Sequence, residues 1–120
     1  MGFVSTIGAD APPACYADVE EADLIFIAGN NMAVSVPAIF ARVRAAKGKS
    51  GTKVIVVDPR KTETALIADI HLQIQPGTDV ALNNALAHVL FEEGYVDEES
   101  VEEYASGLSD LKELVKEYTP

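Results

Sequence analysis

Polar and flexible residues follow three apolar runs of the sequence, where a folded chain could present them to a ligand. The segments are AGNNMAVS (residues 28–35), VDPRK (residues 57–61) and GTD (residues 77–79). Glycine lets the backbone approach a ligand closely, and asparagine amides donate and accept hydrogen bonds. The Asp58 carboxylate can accept two hydrogen bonds from a ribose diol or from the N1–H and amine of guanine. Because N–H groups at a helix start suit an anion, the three segments together predict a nucleotide site.

Each segment also has an ordinary structural explanation, which the residues leave open. A pair of asparagines after a strand is more often a turn or a cap, Asp-Pro is a common turn, and Thr-Asp is a common N-cap. Arg60 and Lys61 could neutralise a phosphate, and a solvated turn explains them equally well. The motifs G-x-G-x-x-G and G-x-x-x-x-G-K-[ST] are absent, which argues against an NAD-binding Rossmann unit and a P-loop NTPase.

No residues with catalytic spacing accompany these segments. His71 and His88 lie far apart without metal-ligand partners at useful spacing, and we interpret both as surface or core histidines. Cys15 is interpreted as a packing residue rather than a nucleophile. As the one cysteine, it excludes an internal disulfide and a cysteine-rich zinc or iron–sulfur site built from this chain alone.

Three apolar runs predict β-strands that end where the three segments begin. Residues 24–28 are typical of a strand buried on both faces. Residues 54–57 are all β-branched and are followed by Asp-Pro, which terminates a strand. Apolar and polar residues alternate from Ile70 to Gln75, which predicts a strand with one wetter face.

Helix signals separate and follow these runs. A helix is predicted from Pro37, which suits a first helical turn, to a stop at Gly48. Residues 61–69 predict one or two helical turns. Further along, the predicted helix boundaries are a cap at Thr78 or Asp79, an end at Gly94, an end at Gly107 and a start at Ser109.

The order β-α-β-α-β-α followed by helices predicts a three-layer α/β/α Rossmann-like open parallel sheet with extra C-terminal helices. Ligands of such sheets bind beyond the carboxyl ends of the strands, where the three segments lie. With 120 residues we expect one domain over residues 1–120, including an irregular lead-in at residues 1–20 and the added helices at residues 97–120.

The 19 acidic residues outnumber the 9 basic ones, so the chain carries a net charge of −10. This charge would repel nucleic acid and anionic membranes, and no nucleic-acid partner is expected. Most of the excess follows Phe91, either as a solvated helical end or as an acidic docking face. No apolar run reaches the roughly 18 residues of a membrane span, and residues 1–5 lack the features of a secretory signal. We therefore expect a cytoplasmic protein without a membrane span.

Four stretches taken in order resemble the molybdopterin oxidoreductases that bind bis-molybdopterin guanine dinucleotide, the group holding formate dehydrogenases and prokaryotic nitrate reductases. They are GADAPPACY, DLIFIAGNNMAVSVP, VIVVDPRKTETALIADIHLQIQPGTDVALNNALAHVL and VKEYTP. Together they cover nearly the whole chain. The part after Val54 is most similar to formate dehydrogenases, and the first stretch is more similar to nitrate reductases.

The resemblance implies that the three segments bind the guanine dinucleotide arm of molybdopterin guanine dinucleotide, whose pterin positions molybdenum or tungsten. It also implies that Asp58 holds the guanosine end. The implied cofactor-binding residues are Ala28, Gly29, Asn30, Asn31, Met32, Ser35, Val57, Asp58, Pro59, Arg60, Lys61, Gly77, Thr78 and Asp79.

Family catalytic subunits are several times longer than this chain, and many carry a four-cysteine iron–sulfur motif that it lacks. Their cysteine or selenocysteine metal ligand precedes the aligned region, so Cys15 is not assigned to the metal. The resemblance thus implies one domain of a larger oxidoreductase, inactive alone, whose iron–sulfur cluster and remaining partners lie elsewhere in the parent polypeptide. Isolated, such a domain could self-associate through exposed apolar surface. The alternative is a stand-alone α/β scaffold that docks a partner through an acidic helical face.

Overall fold

The computed structural model of the chain describes residues 2–8 and 14–120. The chain divides into two compact units, Met1–Ile74 and Gln75–Pro120, and each is described by itself. The expectation of a single domain over residues 1–120 stays a prediction.

The first twenty residues contain helix where an irregular lead-in was expected. Helix α1 spans Gly2–Ile7 and helix α2 spans Tyr16–Glu21, while the part of the lead-in at residues 9–13 lies outside the described residues. A capping bond explains the start of α2, because the Asp18 carboxylate accepts the Cys15 N–H at 2.6 Å.

Three parallel strands form the sheet of the first unit: β1 (Leu24–Ala28), β2 (Lys53–Val57) and β3 (Ile70–Leu72), in the order β1-β2-β3. Ala28 pairs with Val57, and Val57 pairs with Leu72. The carboxyl ends of all three strands therefore lie at one edge of the sheet. This arrangement confirms the predicted α/β class with an open parallel sheet, although β3 is shorter than predicted.

One face of the sheet carries the core of the first unit. The crossover from β1 to β2 and the crossover from β2 to β3 move along the sheet in the same direction. Right-handed crossovers that do so place their connecting segments on the same face of the sheet. The first crossover holds helix α4 (Pro37–Ser50), and the second holds a 3₁₀ turn (Ala65–Ile67), the short helical turn that was predicted. The buried cluster consists of Ile27, Val43, Val54, Val56 and Ala65.

Several of the alternate strand residues are exposed. Leu24 is 53% exposed, Phe26 is 42% exposed and Ile70 is 50% exposed. The prediction that residues 24–28 are buried on both faces is therefore wrong for Leu24, Phe26 and Ala28. In β3 the apolar Ile70 is exposed, whereas His71, which the alternation predicts on the wetter face, is half-buried.

Helix α4 begins as predicted and ends three residues later than predicted. Pro37 occupies its first turn, and Val36 alone separates it from the short helix α3 (Met32–Ser35). Gly48 lies inside the helix, and Gly51, with a φ of +72°, is the left-handed residue that ends it. Glycine stops a helix where the backbone turns left-handed, and Gly48 does not adopt that conformation.

The second unit consists of helices α5 (Asp79–Glu92), α6 (Glu98–Tyr104) and α7 (Leu108–Val115). Helix α5 lies where predicted. Helix α6 ends before Ala105, so the prediction that Gly107 closes it is wrong, and α7 begins at Leu108 rather than Ser109. Gly107, with a φ of +89°, precedes α7 as its N-cap.

The charge of the chain is concentrated in residues 75–120, which hold eleven acidic and two basic residues and a net charge of −9 out of −10. Over the ranges 2–8 and 14–120, no helix is both long and apolar enough to cross a membrane.

Candidate functional site

The first two predicted segments meet at the carboxyl edge of the sheet. The Gly29 N–H donates to the Val57 carbonyl at 2.9 Å, which extends the pairing of β1 and β2 by one residue. Residues 28–35 and 57–61 therefore leave the sheet side by side. This is the edge where open parallel sheets bind ligands.

Gly29 turns the chain away from the sheet with a φ of +62°, a conformation that other residues adopt at an energetic cost. A Cβ added at Gly29 would meet no atom within 4 Å. Gly29 is therefore required by the backbone turn and leaves open space beside it. Asn31 then stands at the N-terminus of α3, without a capping hydrogen bond from its side chain.

Both asparagine side chains are oriented by hydroxyl groups. Ser35 Oγ donates to Asn30 Oδ1 at 2.6 Å, and Thr64 Oγ1 donates to Asn31 Oδ1 at 2.9 Å. The amide oxygens are thus occupied, while the described hydrogen bonds leave the Nδ2 donors of Asn30 and Asn31 unused. The sequence predicts that the two side-chain amides offer a ligand both donors and acceptors. In the structure their oxygens already accept hydrogen bonds, so the groups left for a ligand are N–H donors.

Thr64 is a residue that the sequence analysis missed. It is fully buried, and its hydroxyl also accepts the Ala33 N–H at 3.0 Å. It therefore joins the turn after β2 to α3, in the first segment. The available signal is a hydroxyl residue shortly after Asp58 in the stretch KTETA, whose pattern by itself predicts only a helical turn.

Asp58 belongs to the second segment, residues 57–61, and is buried, at 4% exposure. Its Oδ1 accepts the Arg60 N–H at 2.8 Å and lies 3.8 Å from Arg60 Nε. The Arg60 side chain is 77% exposed, so the rest of its guanidinium faces solvent, where an anion could approach. The described bonds use one carboxylate oxygen and leave Oδ2 for a ligand.

Two side chains near the end of β3 hold this turn in place. His71 Nε2 lies 2.9 Å from the Asp58 carbonyl oxygen, and Gln73 donates to the Pro59 carbonyl at 3.3 Å. The Asp58 N–H also donates to the Leu72 carbonyl at 3.2 Å. His71 is thus a satisfied histidine, as expected, and it positions the backbone of the second segment.

The remaining predicted residues have other surroundings. Met32 packs against the core cluster. Gly77, Thr78 and Asp79 belong to the second unit, where Gly77 has a φ of +88°. The Thr78 hydroxyl and N–H both donate to the Gln75 carbonyl, at 2.7 and 3.2 Å, so the hydroxyl neither caps α5 nor stays available to an anion. The role of these three residues in cofactor binding stays a prediction.

A pocket of about 490 Å³ lies beside α4, and Ala33 is its only lining residue from the predicted segments. The pocket is lined by Ala33, Pro37, Phe40, Ala41, Arg44, Glu63, Leu66 and Ile67.

The described residues include no group of three or more His, Cys, Asp or Glu side chains that could hold a metal ion.

Comparison with known proteins identifies the family of the chain. Residues 4–115 match the family model described as molybdopterin oxidoreductase. The chain is 45% identical over 120 residues to the F420-dependent formate dehydrogenase 1 subunit alpha of Methanococcus maripaludis, covering 100% of this chain and 18% of the relative. It is 46% identical over 107 residues to a nitrate reductase of Symbiobacterium thermophilum, covering 88% of this chain and 14% of the relative.

A solved structure shares the fold. Acetylene hydratase from Pelobacter acetylenicus superimposes with a TM-score of 0.73 at 36% identity, covering 88% of this chain and 14% of that chain. The chain therefore spans less than a fifth of the length of each of these proteins.

Proposed function

Because this chain belongs to the molybdopterin oxidoreductase family, we propose that it binds the guanine dinucleotide arm of molybdopterin guanine dinucleotide at the carboxyl edge of its sheet. The family implies a molybdopterin cofactor. The dinucleotide form, its location at residues 28–35 and 57–61, and the presence of molybdenum or tungsten are parts of the proposal.

The observation that carries the proposal is the pair of oriented donors on Asn30 and Asn31 beside the buried carboxylate of Asp58. Phosphate oxygens accept hydrogen bonds and cannot donate, so they fit the two Nδ2 groups. Guanine presents an N1–H and an amine, and ribose presents two hydroxyls, so either fits Asp58 Oδ2. The residues at this edge therefore have the chemistry that the arm requires.

Charge supports the same assignment. The exposed guanidinium of Arg60 and the exposed Lys61 side chain follow Asp58 directly and would balance a diphosphate. The second unit is considered by itself: there we propose that Gly77, Thr78 and Asp79 bind an anion through the N–H groups at the start of α5. Thr78 would act through its place in the turn, because its hydroxyl is bonded to Gln75.

In a parent enzyme, the cofactor would supply oxygen-atom, hydride or electron transfer at its metal. The residues of this chain bind and orient the nucleotide end. We propose that the metal ligand, the iron–sulfur cluster and the other half of the cofactor site come from the rest of a longer polypeptide. The chain alone is then a binding domain without turnover, and its cytoplasmic location stays a prediction.

Titration of the ¹⁵N-labelled 120-residue chain with GDP, followed by NMR, tests the proposal. We expect chemical-shift changes at residues 28–35 and 57–61, and weak binding, because contacts from the other half of the site are missing. ADP serves as the matched control, since it keeps the diphosphate and loses the guanine donors.

Shift changes confined to residues outside 28–35, 57–61 and 77–79 would overturn the site assignment. The same titration separates the alternative function, because a scaffold that docks a partner through its acidic helices would leave residues 28–35 and 57–61 unchanged.

A further inference from the structure

We propose that Thr64 is a positioning residue for nucleotide binding, acting by fixing which end of the Asn31 amide faces the ligand. The inference rests on the proposed function for the identity of the ligand. The orientation of Asn31 itself can be measured without any ligand.

The contacts of the Thr64 hydroxyl define its role. Oγ1 accepts the Ala33 N–H at 3.0 Å and donates its one proton to Asn31 Oδ1 at 2.9 Å. The side chain is fully buried, so water does not substitute for these partners. Thr64 therefore holds both the backbone and the amide of the first segment.

The hydrogen bond from Thr64 fixes the orientation of the Asn31 amide at the site. Because the Asn31 oxygen points toward Thr64, its two N–H donors point elsewhere and remain available. Without the hydroxyl, rotation of the amide by about half a turn would exchange oxygen and nitrogen at little steric cost. An oxygen would then face the phosphate oxygens of the ligand and repel them.

The turn that contains Thr64 does not itself use this hydroxyl. The turn that contains Thr64 is supported by Thr62, whose hydroxyl accepts the Ala65 N–H at 3.3 Å. Both described bonds of the Thr64 hydroxyl run instead to residues 31 and 33 of the first segment. A valine at position 64 would fill the same volume and lose only these two bonds.

The test compares Thr64→Val and Thr64→Ser in the 120-residue chain. Thr64→Val is expected to shift the side-chain amide signals of Asn31 in the ligand-free NMR spectrum and to weaken GDP binding about tenfold, the usual scale for one lost buried hydrogen-bond partner. Thr64→Ser restores the hydroxyl and is expected to restore both properties.

Thr52→Val is the matched control. Thr52 is also buried, at 2% exposure, and its hydroxyl donates to the Ala22 carbonyl at 2.8 Å, at the amino ends of the strands. This variant is expected to lower the melting temperature comparably without changing the Asn31 amide signals or GDP affinity.

A double-mutant cycle with Asn31→Ala separates positioning from simple loss of stability. If Thr64 acts through Asn31, Thr64→Val weakens GDP binding less in the Asn31→Ala background than in the wild type. An equal effect in both backgrounds, or unchanged Asn31 amide signals in Thr64→Val, would overturn the inference. If the wild-type chain does not bind GDP, the proposed function fails in this chain, and the ligand-free Asn31 signals then decide only whether Thr64 fixes the orientation of the Asn31 amide.

Discussion

Asp69 and Val54 hold each other through two hydrogen bonds. Asp69 Oδ2 accepts the Val54 N–H at 2.8 Å, and the Asp69 N–H donates to the Val54 carbonyl at 2.8 Å. Lys47 of α4 pairs with the same carboxylate, and Lys53 Nζ lies 3.7 Å from its other oxygen. This one side chain therefore connects α4, the start of β2 and the start of β3, at the end of the sheet opposite the candidate site.

The Asp69 carboxylate predicts a pH dependence of stability. The hydrogen bond from Lys47, followed by that from the Val54 N–H, lowers the pKa of Asp69 to about 2 from its ordinary value of 3.8. Because the folded state has the lower pKa, the stabilisation is complete well above pH 3.8 and is lost as the pH falls toward 2. Measured by urea unfolding, the free energy of unfolding of Asp69→Asn should be lower than that of the wild type at pH 7. This difference should disappear between about pH 4 and pH 2.

Glu117→Gln removes the same charge from an exposed position and is the control for this series. Its free energy of unfolding should follow that of the wild type over the whole pH range. A difference between Asp69→Asn and wild type that stayed constant down to pH 2 would contradict the assignment of the charge interaction.

Two glycines near the end of α4 should respond in opposite directions to alanine. Gly48 is helical, and an added Cβ meets no atom within 4 Å, so Gly48→Ala should stabilise the protein by about 0.5–1 kcal/mol. Gly51 has a φ of +72°, so Gly51→Ala should destabilise it by about 1–2 kcal/mol. Thermal and urea unfolding measure both changes, and the reverse order would place the end of the helix at Gly48.

The two glycines also illustrate what sequence could and could not determine. Hydrophobic runs and a proline located the strands and the start of α4, because burial and ring geometry act locally. The choice between Gly48 and Gly51 depends on which residue turns left-handed, and sequence spacing does not determine this. The core face was recognisable from Val54 and Val56, whereas the exposure of Phe26 depends on the direction in which both crossovers advance.

The same distinction applies to the candidate site. Asn30, Asn31 and Asp58 were recognisable because they follow strand ends directly. Thr64 is 33 positions from Asn31, and its hydrogen bond depends on how the second crossover packs against α3. Side chains that orient a site through long-range contacts leave no local pattern in the sequence.

Replacing the N–H donors of residue 30 by a negative charge should weaken nucleotide binding without unfolding the protein. Asn30→Asp keeps an oxygen that accepts the Ser35 hydroxyl, and it replaces the free donors by a negative charge. Repulsion of about 1 kcal/mol from a nearby phosphate in water corresponds to about fivefold weaker GDP binding at low salt. Affinity is measured by NMR titration, with guanosine as the control ligand, since its binding should change much less. Equal weakening for GDP and guanosine would indicate that Asn30 does not face the phosphates.

Asp58 should determine the preference for guanine. Asparagine at this position retains an oxygen for the Arg60 N–H, so Asp58→Asn is expected to fold, but its second group is a donor instead of an acceptor. A donor opposite the N1–H and amine of guanine leaves both without a partner, so GDP binding should weaken about tenfold or more while ADP binding stays within about twofold. The ratio of GDP to ADP affinity, measured for wild type and variant, checks this expectation. If both nucleotides lose affinity equally, Asp58 binds the ribose shared by the two ligands, and guanine must be recognised elsewhere.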